Sequence, residues 1–322
     1  KAVEDWPLFS GQETSSRYIN YSKQPIIDPI KTKESKVILN KWMKFYIGSQ
    51  PAMKKHLLAK YPRKPDEDEE MYERAINARI FDSLRGFLPA GITTQHSWHT
   101  NLRQAHDKLV LQRHHPLKEI QEEAEKMLVA LKAKYPQSFS HIEGLEQEKY
   151  REFLMSKHNY YLDKKYIGDF SGRTNISRAD LKKHLPVFKK RPEKIGLPHF
   201  LTELGNVTFE FLLDFGSFRD VQRHRNGVCR MPLLTTKFGF NEWYLDQLPA
   251  NLRKEAEKLI KEQATAVKKL KASPEVRQYY LAMGFNVTCK VSYGLPAAVY
   301  VMELRSGKMV HPTLRKVAHK MV

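Results

Sequence analysis

The chain has 322 residues, with 55 Lys and Arg against 36 Asp and Glu, a formal charge of +19 and 2 Cys. That length predicts about two domains, and a 41% hydrophobic, 11% aromatic content fills real cores, which excludes a disordered or low-complexity chain. No apolar run reaches the roughly 20 residues of a membrane span, and residues 1–6 carry no signal-peptide core, so a soluble protein is expected. Cys229 and Cys289 are too few for a disulfide framework and lack zinc-site spacing, which points to a reducing, cytoplasmic setting. The positive charge predicts an anionic partner without saying which.

In chain order, residues 37–58 read as a helix with Ile38, Trp42, Phe45 and Tyr46 on one stripe. The acidic run 66–70 favours the first turn of a second helix, which continues to Leu84 and is broken by Gly86 and residues 88–91. A third helix starts after Thr100, and a fourth spans 117–134, stopped by Tyr135 and Pro136. Residues 141–197, rich in Lys, Tyr and Asp without a sustained period, read as a linker or insertion with short helices between a first unit (1–140) and a second (198–322). In the second unit, residues 207–213 form a buried strand, followed by a helix-like stretch carrying Arg219, Arg223 and Arg225, an amphipathic helix over 251–272, a mixed segment at 284–293 and a helical stretch from 296 onward. The expected fold class is α+β and helix-rich.

Four constellations carry chemistry. Ser10, Gln12, Glu13, Ser15, Arg17 and Tyr18 place hydroxyls, a carboxylate and a guanidinium close together, as a phosphate clamp needs; spacing alone favours a capped turn. Arg223, His224 and Arg225, followed by Asn226 and Gly227, fit a pyrophosphate at an element end, or simply a solvated face. Arg85 to Pro89, with Asn101 and Arg103, reads first as packing, and Glu303, Leu304, Arg305, His311 and Arg315 as a helix ending in a basic cluster. GxSxG, Walker, HExxH and GxGxxG motifs are absent from the sequence, and the 13 His are scattered.

Together these pieces resemble the flavin-dependent thymidylate synthases, whose signature is RHRxxSxNExSxRY. Residues 10–18 match its second half with Gln12 for Asn, Arg85 to Pro89 resembles the family's RxxLP, and Asn101 and Arg103 its NxR. The pattern starts again with the strand at 207–213, Phe218, Arg219 and Gln222, and an intact Arg223–His224–Arg225; Arg305 and His311 resemble the later LR and His segment. The departures are complementary. In the first unit the RHR positions read Asp5, Trp6 and Pro7, whereas in the second the positions of the other half read Val228, Arg230, Met231, Leu233 and Thr235, and the NxR positions near Tyr293 and Leu295 are lost. The strands that precede the signature in the family are missing before residue 1, so the sequence is expected to be a piece of a longer protein.

The family's sites lie between subunits of a tetramer, so the resemblance implies a fused pair that kept one composite site. It implies FAD as cofactor, methylenetetrahydrofolate and NADPH as co-substrates, and reductive methylation of dUMP, or of a related pyrimidine nucleotide, at C5. Gln12, Glu13, Ser15, Arg17 and Arg85 would serve the nucleotide. Arg223, His224, Arg225, Asn101 and Arg103 would hold the flavin, and Arg113 or Arg305 would stabilise charge on the pyrimidine ring. No metal or membrane is implied. A homo-oligomer, a dimer of fused pairs, is expected, and the dispersed Lys residues favour small anions over nucleic acid. The contrasting reading is a catalytically degenerate relative that binds nucleic acid or a protein partner.

Overall fold

Thr32 accepts from the Ser35 amide while the Ser35 hydroxyl accepts from Thr32, and this reciprocal cap starts a long helix, α1 (Lys33–Lys60), earlier than its apolar stripe does. The computed structural model describes residues 2–14, 19–140, 144–166, 168–193 and 195–322. In chain order its elements are β1 (Ser10–Glu13), α1, α2 (Glu69–Leu84), β2 (His96–His99), α3 (Leu102–Gln112), α4 (Lys118–Lys134), α5 (Leu145–His158), β3 (Phe170–Thr174), α6 (Arg178–Lys183), α7 (Leu185–Lys190), β4 (Asn206–Asp214), α8 (Phe215–Gln222), β5 (Gly227–Cys229), α9 (Glu242–Asp246), α10 (Ala250–Lys269), α11 (Pro274–Arg277), β6 (Asn286–Gly294), α12 (Leu295–Arg305) and α13 (Pro312–Met321). The class is α+β, as expected. The segment 141–197 is more than a connector, because it supplies α5 and the edge strand β3. The final helical stretch is two helices, parted at 306–311.

All strand pairs are antiparallel: β1 with β2, and a four-stranded sheet in the order β3-β4-β6-β5. One continuous core joins Trp42, Tyr46 and Phe87 from the first half to Phe211, Phe218, Tyr280 and Val291 from the second, and a smaller cluster holds Ala105, Leu109, Val110 and Leu128. Trp42 donates its indole N–H to the Tyr280 carbonyl at 3.0 Å, and Gln263 its amide to the Ile38 carbonyl at 2.7 Å, so both halves share the same interior.

The two halves also repeat one pattern. A 3-10 turn at Arg85–Phe87 leads into Leu88 and Pro89, and another at Gln278–Tyr280 leads into Leu281 and Ala282. The segments that follow meet at one antiparallel bridge, Pro89 to Ala282, and exchange bonds in pairs: Ala90 N to Leu281 O and Met283 N to Leu88 O, then Gly91 N to Tyr279 O and Gly284 N to Gly86 O. The strand pairs β1–β2 and β5–β6 share a register. Ser10 faces His99 and Gly11 faces Trp98, while Val228 faces Ser292 and Cys229 faces Val291. At the same spacing beyond these pairs begin α3 and α12, each of 11 residues.

Candidate functional site

Asp214 caps α8 by accepting from the Ser217 amide, and α8 ends at Gln222 with Arg223 as its C-cap. The expected helix therefore stops short of the basic triplet, which forms the turn between α8 and β5, where cations are favoured by the helix C-terminus. Arg223 Nη2 donates to Glu13 Oε2 at 2.8 Å, and its Nη1 lies 3.2 Å from Asp220 Oδ1. Arg225 sits over the ring of Phe9 at 5.1 Å. The two partial motifs, one at residues 9–13 and the other at 223–225, thus meet within one chain. Beside them opens a cavity of about 580 Å³ lined by Arg223, His224, Arg225, Gly294, Pro296 and Tyr300, among others.

His224 is buried, with its ring edge-on to Tyr300 at 5.9 Å. Arg305 donates its Nε–H to His224 Nε2 at 2.7 Å. Burial and the positive charge of Arg305 push the imidazole down to about 3. His224 is accordingly neutral, accepting on this nitrogen and carrying its proton on Nδ1, so the triplet offers two cationic side chains and one neutral imidazole. Burial opposes ionisation of Asp220, yet the guanidinium groups of Arg85, Arg223, Arg219 and Arg305 together outweigh it and hold this carboxyl below the usual range. Asp220 thus links Arg85, Arg223, Arg219 and Arg305, of which Arg223 is also paired with Glu13 and Arg85 also faces Asp214.

The remaining sequence candidates occupy distinct places. Gln12 lies exposed on β1 opposite Ser97, and Glu13 is largely buried by its pairing with Arg223. Ser15 and Arg17 lie outside the described residues. Arg85 is 5% exposed and closed inside the core, donating to Ser217 Oγ at 2.7 Å and approaching Tyr244 Oη at 3.4 Å; its charge reaches the cleft only through Asp220. Asn101 caps α3 by accepting from the Gln104 amide, and Arg103 is exposed on its first turn. No α3 residue lines the cavity of about 580 Å³; α3 borders a separate one of about 370 Å³ that also touches His224 and Arg225, to which it contributes Lys108, Leu111 and Gln112. Arg113 is held by Glu125 at 2.8 Å.

By strand register and helix length Gly294 and Pro296 correspond in position to Asn101 and Arg103, one residue from the positions read in sequence, and Arg305 corresponds to Gln112 rather than Arg113. Asp220 and Tyr300 were not assigned roles from the sequence. An acid three residues before Arg223 on a helix was a readable sign of the first, and nothing local marked the second. Among the described residues no group of three or more His, Cys, Asp and Glu side chains is placed to hold a metal, and no helix is long and apolar enough to cross a membrane.

Fold and site together define an α+β protein whose basic turn meets Glu13 on a strand from the other half of the chain. Residues 6–137 match the family model described as Thymidylate synthase complementing protein. The chain is also similar to a "UPF0159 protein" of Chlamydia pneumoniae, 22% identical over all of this chain and 71% of the relative. A "UPF0159 protein" of Chlamydia muridarum is 25% identical over 80% of this chain and 57% of the relative. One from Thermoplasma acidophilum is 31% identical over 41% of this chain and 26% of the relative.

Proposed function

We propose that the chain is a tandem of two flavin-dependent thymidylate synthase-type units folded against one another, with one composite site that binds FAD and a uridine monophosphate. The observation that carries the reading is the Arg223–Glu13 bond at 2.8 Å: each unit retains the half of the signature that the other has lost, and the retained halves touch. The exchanged backbone bonds and the shared register of the β1–β2 and β5–β6 pairs support the tandem. Complementary loss with contact is expected of a pair keeping one site, whereas general decay scatters its losses.

The residues fit a flavin dinucleotide. The cavity of about 580 Å³ is lined by Arg223, Arg225 and the half-exposed ring of Tyr300, a size and composition suited to an anionic aromatic ligand. When bound, the flavin supplies the hydride for methylation of dUMP at C5, with methylenetetrahydrofolate as carbon donor and NADPH as reductant. Arg223 and Arg225 hold the pyrophosphate, Glu13 orients the nucleotide and Ser15 and Arg17 take its phosphate. Arg305 stabilises negative charge on the pyrimidine ring; of the two candidates for that role, Arg113 is already paired with Glu125. Association of two chains would restore the four units of the family's assembly, which light scattering would detect.

The test is the visible spectrum of the purified protein, followed by an assay for thymidylate from dUMP, methylenetetrahydrofolate and NADPH. A flavin band with product supports the reading. A flavin band without dUMP turnover favours a related pyrimidine methylase, and a protein that takes up no flavin favours the non-catalytic relative.

A further inference from the structure

We infer that His224 is a positioning residue: its Nε2 anchors the Nε–H of Arg305 and fixes the guanidinium beside the cleft. The inference rests on the tandem reading above and goes beyond it, because the resemblance assigns His224 only to the flavin. Three observations carry it. The hydrogen bond, at 2.7 Å, ties the turn after α8 to the last residue of α12. The imidazole is buried and held edge-on by Tyr300, which limits its rotation. Finally, the pair is lost as a pair. Trp6 stands as far before Ser10 as His224 does before Val228, and Gln112 ends α3 as Arg305 ends α12. Trp6 offers no acceptor nitrogen and packs against Trp98 at 6.2 Å, while Gln112 is buried with no hydrogen-bond partner for its Nε2 among the described residues. The half that lost the histidine also lost the arginine, as expected where one serves the other.

Besides Arg305, the charged groups facing His224 are Asp220 on α8 and Arg223 and Arg225 beside it. The cations and burial favour the neutral ring, and Asp220 opposes them without prevailing. The pairing nitrogen is therefore free to accept at any ordinary pH.

Histidine side-chain NMR on the whole chain, with dUMP titrations of variants, tests the inference. His224 is expected to show the Nδ1–H tautomer without titrating between pH 5 and 8, and to shift in Arg305→Lys. His224→Ala and Arg305→Ala should each weaken dUMP about tenfold, with the double variant no weaker than either. His224→Gln, which keeps an acceptor, should remain within about threefold of wild type. Titration of His224 near its ordinary pKa, signals unmoved by Arg305→Lys, or additive losses in the double variant would overturn the inference. Wild-type protein that binds no dUMP but gives the expected NMR signals supports the pair and counts against the nucleotide reading instead.

Discussion

At the scale of the residue, burial decides what a charge can do. Arg85 reads in sequence as a substrate-binding arginine, and in the fold it lies among Ser217, Tyr244 and Asp214. Asp214 is fully buried and accepts from Tyr244 at 2.8 Å, and its Oδ1 has no hydrogen-bond partner among the described residues. Arg85→Ala removes the compensating charge, so it should cost about 3–5 kcal/mol of stability. Denaturant unfolding checks this, and a loss below about 1 kcal/mol, as for an exposed ion pair, would show that the charge is not balanced there. Arg113→Ala, by contrast, removes only a half-exposed pair with Glu125 and should change stability by less than about 1 kcal/mol. The same measurement serves for both.

At the scale of the element, the two segments that bridge at Pro89 and Ala282 after the 3-10 turns fix how the halves meet. Gly91 and Gly284 occupy corresponding positions in these segments. A Cβ on Gly91 would lie 3.0 Å from the Tyr279 carbonyl oxygen, and one on Gly284 would lie 2.8 Å from that of Gly86. Gly91→Ala and Gly284→Ala should each cost about 1–3 kcal/mol by forcing backbone apart, read as a lowered unfolding midpoint; unchanged midpoints would contradict so close an approach. The main helices were legible because their apolar stripes and stop signals are local: the start of α3 and both ends of α4 fall within a residue or two of expectation. The short strands β1, β2, β3 and β5 were not, since three to five residues show no period and their pairing is set by partners far along the chain. Of the site, Glu13 and Arg223 were legible as motif residues. Burial of Arg85 and acceptance by His224 depend on packing that no spacing reveals.

At the scale of the whole molecule, two buried histidines couple folding to pH. Burial pushes His115 down to about 4 and His224 down to about 3. Their unfolded value is about 6.5, so below it the unfolded chain takes up protons that the folded chain does not. Their contribution is whole above pH 6.5 and declines as pH falls, by up to about 1.4 kcal/mol per pH unit for each histidine. Stability measured between pH 6.5 and 5 should fall, and His115→Gln should flatten the slope by about one proton; an unaltered slope would contradict a neutral His115 in the fold.

The central claim is that the chain holds one composite anionic-ligand site, where the basic turn at 223–225 meets Glu13. Calorimetric titration with FAD addresses it most directly. One FAD is expected to bind per chain, and binding is expected to be lost in the double variant Arg223→Ala, Arg225→Ala. Two FAD per chain, none at all, or undiminished binding by that double variant would contradict it.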